Sequence, residues 1–291
     1  MTQTVTPELR QWIVDQSMAG CMPEDVLAAM VKAGWNADLA ETAMEQTLRE
    51  HLRQIGGGRV AAPAPAEAPS REVVPVPDIS LVESPRRLDA GDRWVDVIAS
   101  LSRPRVVVLG GLLSDEECDG LIAASKPRMA RSLTVQTATG GEELNPDRTS
   151  NGMFFGRGEN ELVKRIEARI ARLVNWPVER GEGIQVLNYK TGAEYKPHYD
   201  YFDPAEPGTP TILKRGGQRV GTVVMYLNEP ARGGGTTFPD IGLEVAPVRG
   251  NAVFFSYNRP DPGTMTLHGG APVFEGEKWV ATKWMRERIF E

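Results

Sequence analysis

The chain has 291 residues, with 33 basic and 39 acidic side chains, a formal charge of −6, 30 glycines and 22 prolines. This balance argues against a broad basic nucleic-acid surface, and the glycine and proline content argues against a helical bundle. The length allows one large domain and one small one, with 41% hydrophobic residues to fill their cores.

Residues 6–52 read as three short helices. Thr6-Pro7-Glu8 and Met22-Pro23-Glu24-Asp25 are helix starts, with proline at the first helical position and acids in the first turn. Leu9, Trp12 and Ile13, then Val26, Leu27, Met30 and Val31, then Leu39, Ala43, Met44 and Leu48 recur at helical spacing and outline one small core. His51 at its end reads as solvated, and the segment carries no catalytic constellation. Residues 1–54 are therefore expected to form a docking or dimerisation module that recruits a protein partner. Residues 55–80 combine Gly, Ala and Pro without apolar periodicity, the composition of an extended linker. Cys21 and Cys118 match no metal spacing and read as two reduced thiols. The N-terminal stretch lacks a basic region followed by an apolar run, and no run of about 18 apolar residues occurs. A cytoplasmic protein with no membrane partner is the expectation.

Residues 81–291 change character. Ser114 and Glu117 form a capping-box pair, and Leu162, Ile166, Ile170 and Leu173 mark a second helix, so two helices are expected before the main β region. From residue 182 short β runs follow one another between Gly and Pro: "GIQVLNYK", "RVGTVVMYLN", "LEVAPV", "NAVFFSY", "TMTLHGG" and "KWVATKWMRE". That spacing predicts an α+β unit, a sandwich or barrel with helices packed on one side.

The chain has three histidines. In "YKPHYDYF", residues 195–202, His198 and Asp200 are two apart, so on a strand they share a face while Tyr199 takes the other. His268 lies on a later β run and can complete two imidazoles and a carboxylate, the facial ligand set of non-haem Fe(II) oxygenases. In "EGEKWVATKWMRE", Lys278, Val280, Thr282 and Trp284 share a face. If it points inward, the lysine is costly to bury unless it meets an anion. Residues 203–217 read as a mobile loop beside the metal ligands, able to close over a substrate.

Together "YKTGAEYKPHYDYF", "GGQRVGTVVMYLN", "GGGTTFP", "GNAVFFSY" and "LHGGAPVFEGEKWVATKWM", with "RTSNGMFF" at 148–155, resemble the catalytic domain of the prolyl 4-hydroxylase branch of the 2-oxoglutarate- and Fe(II)-dependent dioxygenases. The likeness runs from about residue 104 to 288. It implies a double-stranded β-helix (jelly-roll) core with iron on His198, Asp200 and His268. It also implies 2-oxoglutarate held by Lys278, Tyr189 and Thr236, O2 as second co-substrate, and ascorbate as reductant. The implied reaction hydroxylates prolyl residues of a peptide or protein and releases succinate and CO2. By position, Tyr195, Arg219 and Trp284 would contact the peptide, aromatic walls suiting a left-handed polyproline strand. The acid usual in the "GGET" motif of the family is Gly235 here. The same chemistry on a free amino acid or small molecule is the alternative, and a non-catalytic binding protein is a third reading. Halogenation is disfavoured, because it would require the Asp200 position to lack a carboxylate.

Overall fold

The computed structural model describes residues 5–18, 23–36, 39–40, 42–44, 47, 75–132, 134–135, 142–143 and 149–291. They fall into two compact units, Met1–Arg71 and Glu72–Glu291.

In the first unit, α1 (Pro7–Met18) and α2 (Pro23–Lys32) begin at the two prolines singled out as start signals. The Thr6 hydroxyl accepts from the Leu9 amide at 3.3 Å, and Asn36 Oδ1 accepts from Leu39 at 3.2 Å where helical residues resume. Ile13, Met30, Ala40 and Ala43 are buried together, with Leu9, Trp12 and Leu27 packed on them. Val31 and Leu39, expected in that core, instead face outward at 44% and 48% exposure. Cys21, Leu48, His51 and residues 55–74 lie outside the described residues.

In the second unit the strands in chain order are β1 (Arg87–Asp89), β2 (Trp94–Leu101), β3 (Arg105–Gly110), β4 (Ala130–Arg131), β5 (Thr134–Val135), β6 (Glu142–Glu143), β7 (Asn151–Phe155), β8 (Ile184–Tyr189) and β9 (Tyr195–His198). There follow β10 (Arg219–Tyr226), β11 (Arg232–Gly233), β12 (Thr236–Phe238), β13 (Leu243–Val245), β14 (Ala252–Ser256), β15 (His268–Gly270), β16 (Val273–Glu275) and β17 (Lys278–Arg286). A nine-stranded sheet has the order β1-β2-β3-β14-β10-β17-β8-β7-β4, and a four-stranded sheet the order β13-β12-β15-β9. Every pairing in the two sheets is antiparallel. This is a sheet-rich core of the kind expected for a jelly-roll oxygenase.

The structure adds to and corrects the sequence reading at the start of this unit. Strands β1–β3 precede the helices and extend the large sheet. Residues 76–80, assigned by composition to the linker, pack against it: Ile79 is fully buried, and Arg105 bonds Asp78 Oδ1 and the Ile79 carbonyl at 2.6 Å each.

Helix α3 (Asp115–Ser125) begins with the expected capping box, the Ser114 hydroxyl accepting from Glu117 N and the Glu117 carboxylate from Ser114 N. Helix α4 (Glu161–Leu173) is capped by Asn160 and buries Val163, Ile166, Ile170 and Leu173. These side chains join Leu121 of α3 and Val107, Val186, Met225, Phe254, Trp279, Ala281 and Met285 of the large sheet in one core. The opposite face of that sheet forms a second core, with Val106, Leu187, Tyr226, Phe255 and Val280 packed on Phe238 and Val245 of the small sheet. With both faces covered, all nine residues of β17 are buried. Alternation along β17 then turns Lys278, Val280, Thr282 and Trp284 to the face that carries the small sheet, where Val280 joins the second core.

Candidate active site

His198 ends β9 and His268 begins β15, and the two are direct partners across that antiparallel pair. Their rings are 4.5 Å apart. Strand β9 stops at His198 rather than running through Asp200 as alternation predicted, so the aspartate reaches the site from the bend that follows. Tyr199 stacks on Tyr201 with centroids 4.7 Å apart. Asp200 Oδ1 lies 3.7 Å from His198 Nε2, and Oδ2 lies 3.4 Å from His268 Nε2. One donor atom from each residue falls within a 4.8 Å cluster, the only such group of three among the described residues.

The surroundings orient these donors. Nδ1 of His198 lies 2.9 Å from the Lys196 carbonyl, and Nδ1 of His268 lies 2.9 Å from the Thr266 carbonyl. A carbonyl can only accept, so each Nδ1 carries a proton, which turns each Nε2 toward Asp200 as the ring's ligand atom. The Thr222 hydroxyl donates to Asp200 Oδ2 at 2.7 Å, so the Tyr257 hydroxyl, 3.0 Å away, donates to Thr222. Burial alone would raise the Asp200 carboxyl. The neighbouring His268, His198 and Arg219 and the Thr222 hydrogen bond hold it down to about 2. A buried, ionised carboxylate beside two imidazole nitrogens is a ligand set suited to a divalent cation.

Lys278 lies behind this cluster at 4% exposure. Its Nζ faces the rings of Tyr189 at 5.6 Å and Tyr226 at 5.9 Å, and no described residue offers it a hydrogen-bond acceptor or an ion pair. Burial lowers the ammonium to about 8. Thr236 is buried beside it, and its hydroxyl oxygen accepts from the Tyr226 hydroxyl at 2.8 Å, leaving its own proton to be donated.

The three residues expected to contact a peptide have different surroundings. Tyr195 stacks on the His198 ring with centroids 3.7 Å apart. Arg219 is engaged through Nε and Nη2 by Glu182 at 2.6 and 2.9 Å, and its guanidinium lies 4.0 Å above the Trp284 ring. Trp284 is buried with its indole Nε1 lacking a hydrogen-bond partner. Segment 203–217, read as a loop, contains a helical turn at Thr209–Ile212. Arg286 donates to the carbonyls of Ile212 and Arg215, and Arg288 to that of Leu213.

Sequence reasoning missed Thr222, Tyr226, Tyr257 and Glu182. The first two were within reach: Thr222 and Tyr226 alternate along β10 and pair with Trp284 and Val280, residues of the inward face of β17. Glu182 and Arg219 meet only through the fold.

A family model described as the 2OG-Fe(II) oxygenase superfamily matches residues 184–286. Prolyl 4-hydroxylase 5 of Arabidopsis thaliana is 42% identical over 222 residues, covering 69% of this chain and 74% of its own length. Probable prolyl 4-hydroxylase 3 of the same plant is 41% identical, covering 67% of this chain and 73% of its own length. The chain belongs to the prolyl 4-hydroxylase branch of the 2-oxoglutarate- and Fe(II)-dependent dioxygenases. Among solved structures, the viral collagen prolyl hydroxylase of Paramecium Bursaria Chlorella virus-1 in its 2OG complex is 31% identical at a TM-score of 0.48, covering 62% of this chain and 95% of its own. As a member of that branch the protein is a 2-oxoglutarate-dependent dioxygenase. Its residues fit the two groups such an enzyme needs. Two nitrogens and a carboxylate suit Fe(II), and a buried ammonium among aromatic faces suits the far carboxylate of a dicarboxylic keto acid.

Proposed function

We propose that the protein hydroxylates prolyl residues in a peptide or protein, consuming 2-oxoglutarate and O2 and releasing succinate and CO2. The observation that carries this reading is the convergence of His198, Asp200 and His268 at one point, with Lys278 buried between aromatic rings and given no ion-pair partner among the described residues. His198, Asp200 and His268 hold the iron, which supplies the site for O2 activation when bound. Lys278, Thr236 and the hydroxyl of Tyr189 hold the far carboxylate of 2-oxoglutarate, and ascorbate serves as reductant. The apolar rings around Lys278 keep water from competing for that ammonium, which strengthens its pairing with the co-substrate.

Tyr195, Arg219 and Trp284 form the peptide-facing wall. Trp284 adds an aromatic face to this wall, the kind of surface that suits a polyproline strand. Glu182 fixes the Arg219 guanidinium over Trp284 and so stiffens this wall. The N-terminal helices act as a docking module that raises the local concentration of a protein substrate.

The test is His268→Ala, with circular dichroism as the check on folding. The variant is expected to keep its secondary structure and to lose 2-oxoglutarate decarboxylation. Full turnover in a folded variant would remove the ligand assignment.

A further inference from the structure

Strand β9 ends at His198, and Asp200 and Tyr201 follow in a bend outside the β ladder. A carboxylate carried on a loose bend would not share one point with two imidazoles, so something must hold this backbone. The Thr222 hydroxyl holds the carboxylate itself. Two residues further on, the side chain of Gln218 holds the chain. Its Oε1 accepts from the Phe202 N–H and its Nε2 donates to the Phe202 carbonyl, both at 2.8 Å. A backbone N–H can only donate, so the amide has a single orientation. The two bonds reproduce the exchange that a residue of a neighbouring antiparallel strand would make with Phe202.

Gln218 is itself fixed. It is buried, as Phe202 is. Its N–H donates to Glu287 Oε2 at 2.8 Å, its carbonyl accepts from the Glu287 N–H at 2.9 Å, and its Oε1 also accepts from the Arg219 N–H at 3.0 Å. Gly216 and Gly217, with φ of +83° and +75°, turn the chain into this position, and a Cβ on Gly217 would stand 2.5 Å from the same Glu287 oxygen. Phe202 and Gln218 flank segment 203–217, so the amide closes the base of that segment. Inside it the Thr209 hydroxyl donates to the Asp203 carbonyl at 2.6 Å, and the Gly217 N–H donates to the Leu213 carbonyl at 3.0 Å. The Phe202 ring in turn lies 4.9 Å from the Arg219 guanidinium. One clipped residue thus adjoins the Asp200 bend, the loop and the wall assigned to the peptide.

We propose that Gln218 is a positioning residue that couples the iron seat to segment 203–217: by holding both backbone groups of Phe202 it fixes the bend that carries Asp200 and closes the base of the segment beside it. The inference rests on the reading of Asp200 as an iron ligand. Releasing the segment then loosens the bend and weakens iron binding. By linkage, bound iron must make release of the segment rarer by the same factor. That factor is about ten, the low end of the loss that follows removal of an outer partner of a metal ligand.

The experiment is trypsin digestion of the full-length protein under anaerobic conditions, with and without saturating Fe(II), following by fragment mass the cleavage after Lys214 and Arg215, both exposed. A protease reaches these bonds only when the segment leaves its anchors, so the cleavage rate reads that opening. Fe(II) is expected to slow this cleavage about tenfold in the wild-type protein, and an unchanged rate overturns the coupling without any variant. Two variants locate it. Gln218→Asn keeps the amide and shortens its reach by one methylene, whereas Gln218→Glu keeps the reach and the acceptor but removes the donor to the Phe202 carbonyl. In anaerobic Fe(II) titrations below their unfolding temperatures, both should bind Fe(II) about tenfold more weakly, and Fe(II) should no longer protect the segment. A residue that only stabilised the fold would lower the melting temperature and leave both readings as in wild type, and that result in either folded variant overturns the proposal. Weaker Fe(II) binding with protection retained overturns the link to the segment. Wild-type protein that binds no Fe(II) overturns the reading of the metal site, and the inference with it.

Discussion

Thr222 couples the metal ligands to the protein interior, and Thr222→Val tests that coupling with a change of one group. The residue is fully buried, and valine keeps its branched shape while removing the hydroxyl. Two buried partners are then orphaned: Asp200 Oδ2 loses a donor at 2.7 Å, and the Tyr257 hydroxyl loses an acceptor at 3.0 Å. Each loss costs about 1–3 kcal/mol, so the metal-free protein should be destabilised by at least about 2 kcal/mol. For a unit of this size that lowers the melting temperature by about 4–8 °C. Because Asp200 is no longer held in orientation, Fe(II) affinity should fall about 10- to 100-fold, the usual effect of removing an outer hydrogen bond from a metal ligand. Thermal unfolding of the metal-free protein and an anaerobic Fe(II) titration measure the two effects separately. Thr222→Ser, which restores the hydroxyl, should recover the metal affinity. A valine variant that binds Fe(II) within about threefold of wild type would refute the argument that this hydroxyl positions the carboxylate.

Three further outcomes follow from other parts of the molecule. Lys283 and Glu167 form a buried ion pair at 2.5 Å between β17 and α4, so Lys283→Met should cost about 3–5 kcal/mol in urea unfolding. The double change Lys283→Met/Glu167→Leu should recover most of that loss, and additive losses would show that the pair is not a unit. Trp284→Ala should raise the KM for a proline-containing peptide about tenfold or more while sparing decarboxylation without peptide, and equal losses in both would place the indole in the core alone. Burial would raise the Glu117 carboxyl, but bonds from Arg169, the Ser114 amide and Arg165 hold it down to about 2. Its contribution to stability is therefore complete above the ordinary glutamate value near 4.5 and is lost as pH falls from there toward 2. Glu117→Gln should flatten the acid limb of thermal stability across that window, and an unchanged limb would count against the network.

How far the sequence could be read depended on where each signal resides. The longer strands from β8 onward were legible because Gly and Pro punctuate the apolar runs that form them; His198, His268 and Lys278 lie within strands, whereas Asp200 follows the end of β9. Strands β2 and β3 were not legible. On β2 the outward residues Trp94 and Ile98 are apolar yet 64% and 56% exposed, which erases the contrast between faces. On β3 five consecutive residues are buried on both sides, a pattern that short apolar helices share. The capping box of α3 was readable because its two partners are three residues apart, whereas the bond from Glu182 to Arg219 spans 37 residues and exists only after the sheet closes. Residues 76–80 show the limit of composition: prolines at 75 and 77 suggest a linker, but Ile79 between them and β1 anchors the chain on the core.

The most direct test of the account is to incubate purified protein with Fe(II), ascorbate and 2-oxoglutarate, with and without proline-containing peptides, and to follow succinate together with peptide mass. The account predicts succinate formed in step with a gain of roughly 16 Da, one oxygen atom, located on proline, and neither product from His268→Ala. Succinate without any modified proline would contradict the substrate assignment, and no succinate from the folded, iron-loaded protein would contradict the central claim.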